Sequence, residues 1–113
     1  MKKRYRIKKN SEIDAIFDLK QSKGNKFFVI YSTINNQNKN FRFAISIGKK
    51  YGSAVERNLM KRRIRMIISN LKDQLDSTLD FVIVVKPIAK TLNYQEIKQY
   101  IEELLYKNGE QKK

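Results

Sequence analysis

The alternation of apolar and polar positions divides the chain into helical and extended stretches. Ile13, Ile16 and Phe17 recur at helical spacing behind Ser11, which is placed to cap a helix with Asp14 near its positive end. A short first helix is therefore expected to run to about Lys20, broken by the Ser22, Gly24 and Asn25 of residues 21–26. Residues 27–34 are rich in aromatic and β-branched side chains and predict a strand. Alternation sets Phe27, Val29, Tyr31 and Thr33 on one of its faces and Phe28, Ile30, Ser32 and Ile34 on the other. Residues 35–40 form a polar turn, and 41–47 alternate like a half-buried strand. So short a connection predicts that the two strands pair as an antiparallel hairpin.

After a basic loop over 48–52, Ser53 and Glu56 have the spacing of a capping box. The helix it opens is the longest in the chain. Met60, Ile64, Ile67, Ile68, Leu71 and Leu75 fall within an arc of roughly 80–100° at 3.6 residues per turn, a stripe made to be buried. Residues 79–85 are almost continuously apolar, the mark of a central strand, and Pro87 ends it. Asn93 and Glu96 form a second capping pair, and Tyr94, Ile97, Ile101, Leu104 and Leu105 line one face of a last helix. Residues 1–10 hold six basic side chains and little to bury, so they read as an extended arm; 107–113 read as a flexible tail. Helix, two strands, helix, strand, helix predicts one layered α/β domain with helices packed on a small mixed sheet.

Composition adds the partner. The chain has 113 residues, enough for one domain, and 41% of them are hydrophobic, enough for one core. Lys and Arg number 25 against 11 acids, a formal charge of +14. Such charge repels itself in a compact state and points to a polyanion, nucleic acid before an anionic membrane surface. The absence of Cys excludes disulfides and thiolate chemistry, and the absence of His removes the commonest general base and zinc ligand. The basic start is followed by no apolar stretch of signal or membrane-spanning length, so a cytoplasmic location without membrane attachment is expected.

The charge is most ordered over residues 49–65, where seven of seventeen side chains are basic. Asn58, Lys61, Arg62, Arg65 and Lys72 project away from the apolar stripe, and Arg57 lies near its edge. Cations rising one turn at a time along a rigid helix can meet successive phosphates, and guanidinium forks grip phosphate oxygens bidentately. A basic helix face can also be plain solvated surface; the chain-wide charge and the adjoining Lys49 and Lys50 weigh against that. Tyr31 and Phe17 are candidate platforms for unpaired bases, although an aromatic at such a position serves more often in a core. The acids are scattered: Asp80 is the only one adjoining a strand, and Glu56 is engaged as a cap. No catalytic residue and no metal ligand is assigned, and the residues argue for binding rather than bond breaking.

From Ala54 through Glu56, Arg57, Asn58, Lys61, Arg62, Arg63, Ile64 and Arg65, the chain resembles the bacterial ribonuclease P protein family, whose signature is an alanine, an Arg-Asn pair and a basic helix. The likeness extends to Arg6 through Lys9, Phe17, the 28–31 strand, Ser46 before Lys49 and Lys50, and the apolar strand ending at Lys86. The resemblance implies an α+β fold: a single small α/β sandwich, like a domain of ribosomal proteins, with a mixed four-stranded sheet packed with three helices. A left-handed crossover through the long helix is implied too, against the usual hand. Three strands are evident; the fourth would lie near residues 20–26 or 47–50.

The resemblance further implies a single RNA-binding domain over 1–113, a subunit of an endoribonuclease whose catalysis comes from RNA with Mg2+ required by that RNA partner. Its partners would be the catalytic RNA and precursor tRNA, whose 5′ leader is removed, with no obligate protein partner. Lys49, Lys50, Arg57, Asn58, Lys61, Arg62 and Arg65 would bind RNA; Ile13, Phe17, Val29 and Tyr31 would line a cleft for the leader, with Arg57, Asn58 and Lys61 along its edge. Leu59 stands where the family often has arginine, and Ile13 where relatives can have phenylalanine. The alternative is a ribosomal or other structural RNA-binding protein. Weaker rivals are a DNA-binding protein, which would need a helix-turn-helix partner, a membrane-surface protein, and a self-sufficient nuclease.

Overall fold

Apolar side chains at nearly every position of residues 79–85 demand cover on both faces, and the computed structural model, which describes residues 3–107, gives that segment the interior place in the sheet. The strands are β1 (Ser22–Gly24), β2 (Phe28–Ile34), β3 (Arg42–Ile47) and β4 (Leu79–Val85), ordered β1-β2-β4-β3. β1 and β2 are antiparallel, β2 and β4 are antiparallel, and β3 runs parallel to β4. The helices are α1 (Asn10–Asp18), α2 (Ala54–Leu71) and α3 (Tyr94–Lys107). This is the four-stranded mixed sheet with three helices that the resemblance implied, and the parallel neighbours β3 and β4 are joined through α2. The expected flexible tail lies, beyond Lys107, outside the described residues.

The expected hairpin is not formed. β2 and β3 are consecutive in the chain, but β4 inserts between them. Residues 35–41 easily cover the roughly 10 Å of two strand spacings, so a short connection does not enforce pairing. What decides the order is burial: β4 needs two strand neighbours, while β3 tolerates an edge. The missing fourth strand is β1, within the first of the two expected stretches, with Ser22 opposite Tyr31 and Gly24 opposite Val29. Lys20 leads into it with φ 55°, a left-handed conformation that reverses the chain after α1.

The two faces of the sheet are covered unequally. On one, Phe28, Ile30, Phe43, Phe81 and Ile83 form a single core with Met60, Ile64, Ile67, Ile68 and Leu71 of α2 and Ile97, Ile101, Leu104 and Leu105 of α3. On the other, Val82 packs with Ile7 and Ile16, and Ile13, Phe17, Tyr31 and Ala44 are only half-buried around them. One nine-residue helix, α1, covers that face. It is the face left open enough for a ligand.

Three local expectations are corrected. Ser11 does not cap α1: Lys9 holds the cap position in an extended conformation without a side-chain hydrogen bond, and its carbonyl accepts from the N–H groups of Glu12 and Ile13. α1 also stops at Asp18, short of Lys20. The basic arm does bury side chains. Ile7 is 5% exposed, its N–H donates to the Phe43 carbonyl at 3.0 Å, and the Tyr5 ring lies 4.9 Å from Phe41. β3 is an edge strand with free backbone groups, and the arm takes them up through a parallel bridge between Arg6 and Phe43. Both expected capping boxes are present, at Ser53–Glu56 (3.0 and 3.2 Å) and at Asn93–Glu96 (2.9 and 3.0 Å).

Candidate nucleic-acid interface

The capping box starts α2 at a defined residue, and the buried stripe then fixes its rotation about its axis. Asn58 and Arg62 are consequently exposed, and Arg57, Lys61 and Arg65 are half-buried along the same side. Lys72 does not belong to this helix; it sits in the 3-10 turn Lys72–Gln74 that returns Leu75 to the core. Tyr51, buried in the 3-10 turn Lys49–Tyr51, anchors the basic loop and leaves Lys49 and Lys50 exposed before α2.

Lys61 and Arg65 do more than face solvent. With Arg6 and Ile7 of the arm, Ile13 of α1, and Phe43, Ala44 and Ile45 of β3, they line a cavity of about 190 Å³. None of Arg6, Arg57, Lys61, Arg62 and Arg65 forms an ion pair with a carboxylate among the described residues. Burial, followed by the like charge of Arg6, pushes the Arg65 guanidinium below its ordinary pKa. The Arg57 Nε is buried with no hydrogen-bond partner among the described residues. An incoming anion would relieve the repulsion between Arg65 and Arg6 and could supply an acceptor to the Arg57 Nε.

The predicted cleft residues are brought together in part. Ile13 reaches the cavity beside Lys61 and Arg65. Phe17 and Tyr31 meet edge to face with centroids 4.9 Å apart, half-buried on the same open face of the sheet. Val29 shares the face of Tyr31 on β2 but lines no part of the cavity. Arg6, which sequence reasoning placed in the arm without a site role, is the addition. Its signal was Ile7, the lone aliphatic within the basic arm and so its anchor.

The acids are committed to structure. Asp80, 4% exposed, accepts from Arg42 Nε at 3.1 Å, Arg42 Nη2 at 2.8 Å, Asn38 Nδ2 at 2.6 Å and Asn35 Nδ2 at 3.4 Å. Arg42 Nη2 also reaches Glu12 Oε2 at 2.8 Å, tying α1 to the sheet beside the cleft. These hydrogen bonds, Asp80 foremost, raise the Arg42 pKa, so it stays charged. Glu56 receives Lys90 Nζ at 2.7 Å as well as the Ser53 N–H, which together hold its carboxyl near a pKa of about 2. Among the described residues no three acidic side chains gather as a metal site would require, and no helix is long and apolar enough to cross a membrane.

Fold and site define a small cationic α/β sandwich with one basic helix edge and a cavity beside it. A family model described as Ribonuclease P matches residues 1–109. The ribonuclease P protein component of Phytoplasma australiense is 52% identical over 98 residues, covering 87% of this chain and 85% of the relative. That of Acholeplasma laidlawii is 49% identical over 107 residues, covering 95% and 91%. The solved RNase P protein of Staphylococcus aureus superposes with a TM-score of 0.87 at 33% identity, covering 94% of this chain and 96% of that one. The Thermotoga maritima protein shares the fold, with a TM-score of 0.81 at 23% identity over 90% of this chain and 96% of that one. The chain belongs to the ribonuclease P protein component family, and its role is in tRNA processing.

Proposed function

We propose that this chain, in the cytoplasm, joins a catalytic RNA and assists it in removing the 5′ leader of precursor tRNA. Lys49, Lys50, Arg57, Asn58, Lys61, Arg62 and Arg65 meet phosphates of the catalytic RNA, and the open sheet face with Ile13, Phe17, Val29 and Tyr31 receives the single-stranded leader. Bond cleavage falls to the RNA with its own Mg2+. The protein lowers phosphate repulsion, so that the RNA folds and binds Mg2+ at lower concentration.

The observation that carries this reading is the convergence of Arg6, Lys61 and Arg65 on one cavity, without a carboxylate partner among the described residues, where Ile13 and Ala44 continue into the sheet face that holds Phe17 and Tyr31. The acids support the same division of labour, because Asp80 and Glu56 are engaged by Arg42 and Lys90 and do not form an acid–base pair. The test is leader cleavage at low Mg2+ with ribonuclease P RNA, with and without the protein, and with the protein alone. Stimulation is expected only in the presence of RNA. Cleavage at the mature 5′ end by the protein alone, or no stimulation of the RNA, refutes the proposal.

A further inference from the structure

The outer side of α2 carries three aliphatic side chains that the core does not use: Val55 is 77% exposed, Leu59 40% and Met66 60%. With Arg62 they follow one another at steps of four, three and four residues, so all four lie along one line of the helix, away from Met60, Ile64 and Ile67. The line borders two shallow hollows. Val55, Asn58, Arg62 and Arg65 line one; Arg6, Arg62, Arg65 and Met66 contribute to the next. Isolated exposed aliphatics are ordinary, but a row of them interleaved with arginine on a rigid element marks a surface with a partner.

We propose that this row is a base-contact surface, on which unstacked nucleobases of the catalytic RNA lie against Val55, Leu59 and Met66 while Arg62 and Arg65 hold the flanking phosphates. The proposal rests on the reading that α2 meets that RNA, and it adds a part of the binding that salt does not screen. Charge complementarity selects the occupant. A second copy of a +14 chain would set like charges against Arg62 and Arg65 across a symmetric contact. Single-stranded RNA supplies flat apolar base faces and phosphates side by side, which match the apolar side chains of this row and the guanidinium groups of Arg62 and Arg65.

The experiment measures affinity for ribonuclease P RNA as a function of potassium chloride. The double variant Leu59→Ser, Met66→Ser is expected to bind about tenfold more weakly at every salt concentration, with an unchanged slope of log affinity against log salt. Arg62→Ala should instead flatten that slope by about 0.7–0.9, and Ile88→Ser, an exposed aliphatic elsewhere, should change neither. If the serine variant is less folded by circular dichroism, Leu59→Gln with Met66→Gln, which favours helix more, reads the same quantity. Affinity equal to the unaltered protein overturns the inference. So does a dimer in sedimentation that the double variant converts to monomer without loss of RNA affinity. Normal stimulation of leader cleavage by the unaltered protein alongside either result leaves the proposed function standing; absence of that stimulation is the failure of the function itself.

Discussion

Removing Arg42 strands a buried charge. Asp80 is 4% exposed and takes two of its four hydrogen bonds from the Arg42 guanidinium. Breaking a buried ion pair from one side costs roughly 3–5 kcal/mol, because the remaining charge keeps its desolvation penalty. Here Asn35 and Asn38 still donate to the carboxylate, so Arg42→Ala is expected near the lower end, about 3 kcal/mol. At about 2.1 cal/mol/K of unfolding entropy per residue, a chain of this length would lose on the order of 10–15 °C in Tm. Asp80→Asn removes the charge with the shape retained and should cost less, about 1–2 kcal/mol. Glu12→Gln breaks only the partly solvated arm of the network, whose Glu12 side chain is 36% exposed, and should cost less than about 1 kcal/mol. The assay is urea unfolding followed by circular dichroism with the m-value checked for constancy. The reasoning fails if Glu12→Gln costs as much as Arg42→Ala, or if Arg42→Ala costs less than about 1 kcal/mol.

Further predictions address the site and its supports. Tyr31→Ala should weaken binding of leader-bearing precursor more than of mature tRNA in the reconstituted ribonucleoprotein; equal losses would remove Tyr31 from the cleft. Glu56 has a folded pKa of about 2, below its ordinary value of 4.5, so its stabilising effect is complete above that ordinary value and is lost as pH falls toward 2. Glu56→Gln keeps the cap geometry but should flatten this acid limb, as read from urea midpoints at stepped pH. Lys20→Gly should raise stability by about 1 kcal/mol or less in thermal melts, because glycine carries no steric cost at φ 55°.

Local physics made much of this protein legible from its sequence. The buried stripe of α2, both capping boxes, the two faces of β2 and the apolar β4 all follow from interactions within a few residues, so periodicity and spacing suffice to find them. The excess of cations, and their concentration on one helix, set the chemistry of the partner before any fold was known.

Tertiary structure decided what depends on competition between distant segments. Insertion of β4 between β2 and β3 overrode a short loop, because burying an apolar strand on both faces outweighs a local hairpin. Only that parallel register sets Arg42 opposite Asp80, so the buried ion pair between β3 and β4, from which Arg42 also reaches Glu12 of α1, had no signature in either segment alone. The same holds at the site. Arg6 lies far from Lys61 and Arg65 in the chain, and Ile7, by docking on the β3 edge, brings its charge into their cavity. Residue types and spacing determine which elements form and what charge they carry; which charges share one space follows from long-range packing, which no short stretch of sequence encodes.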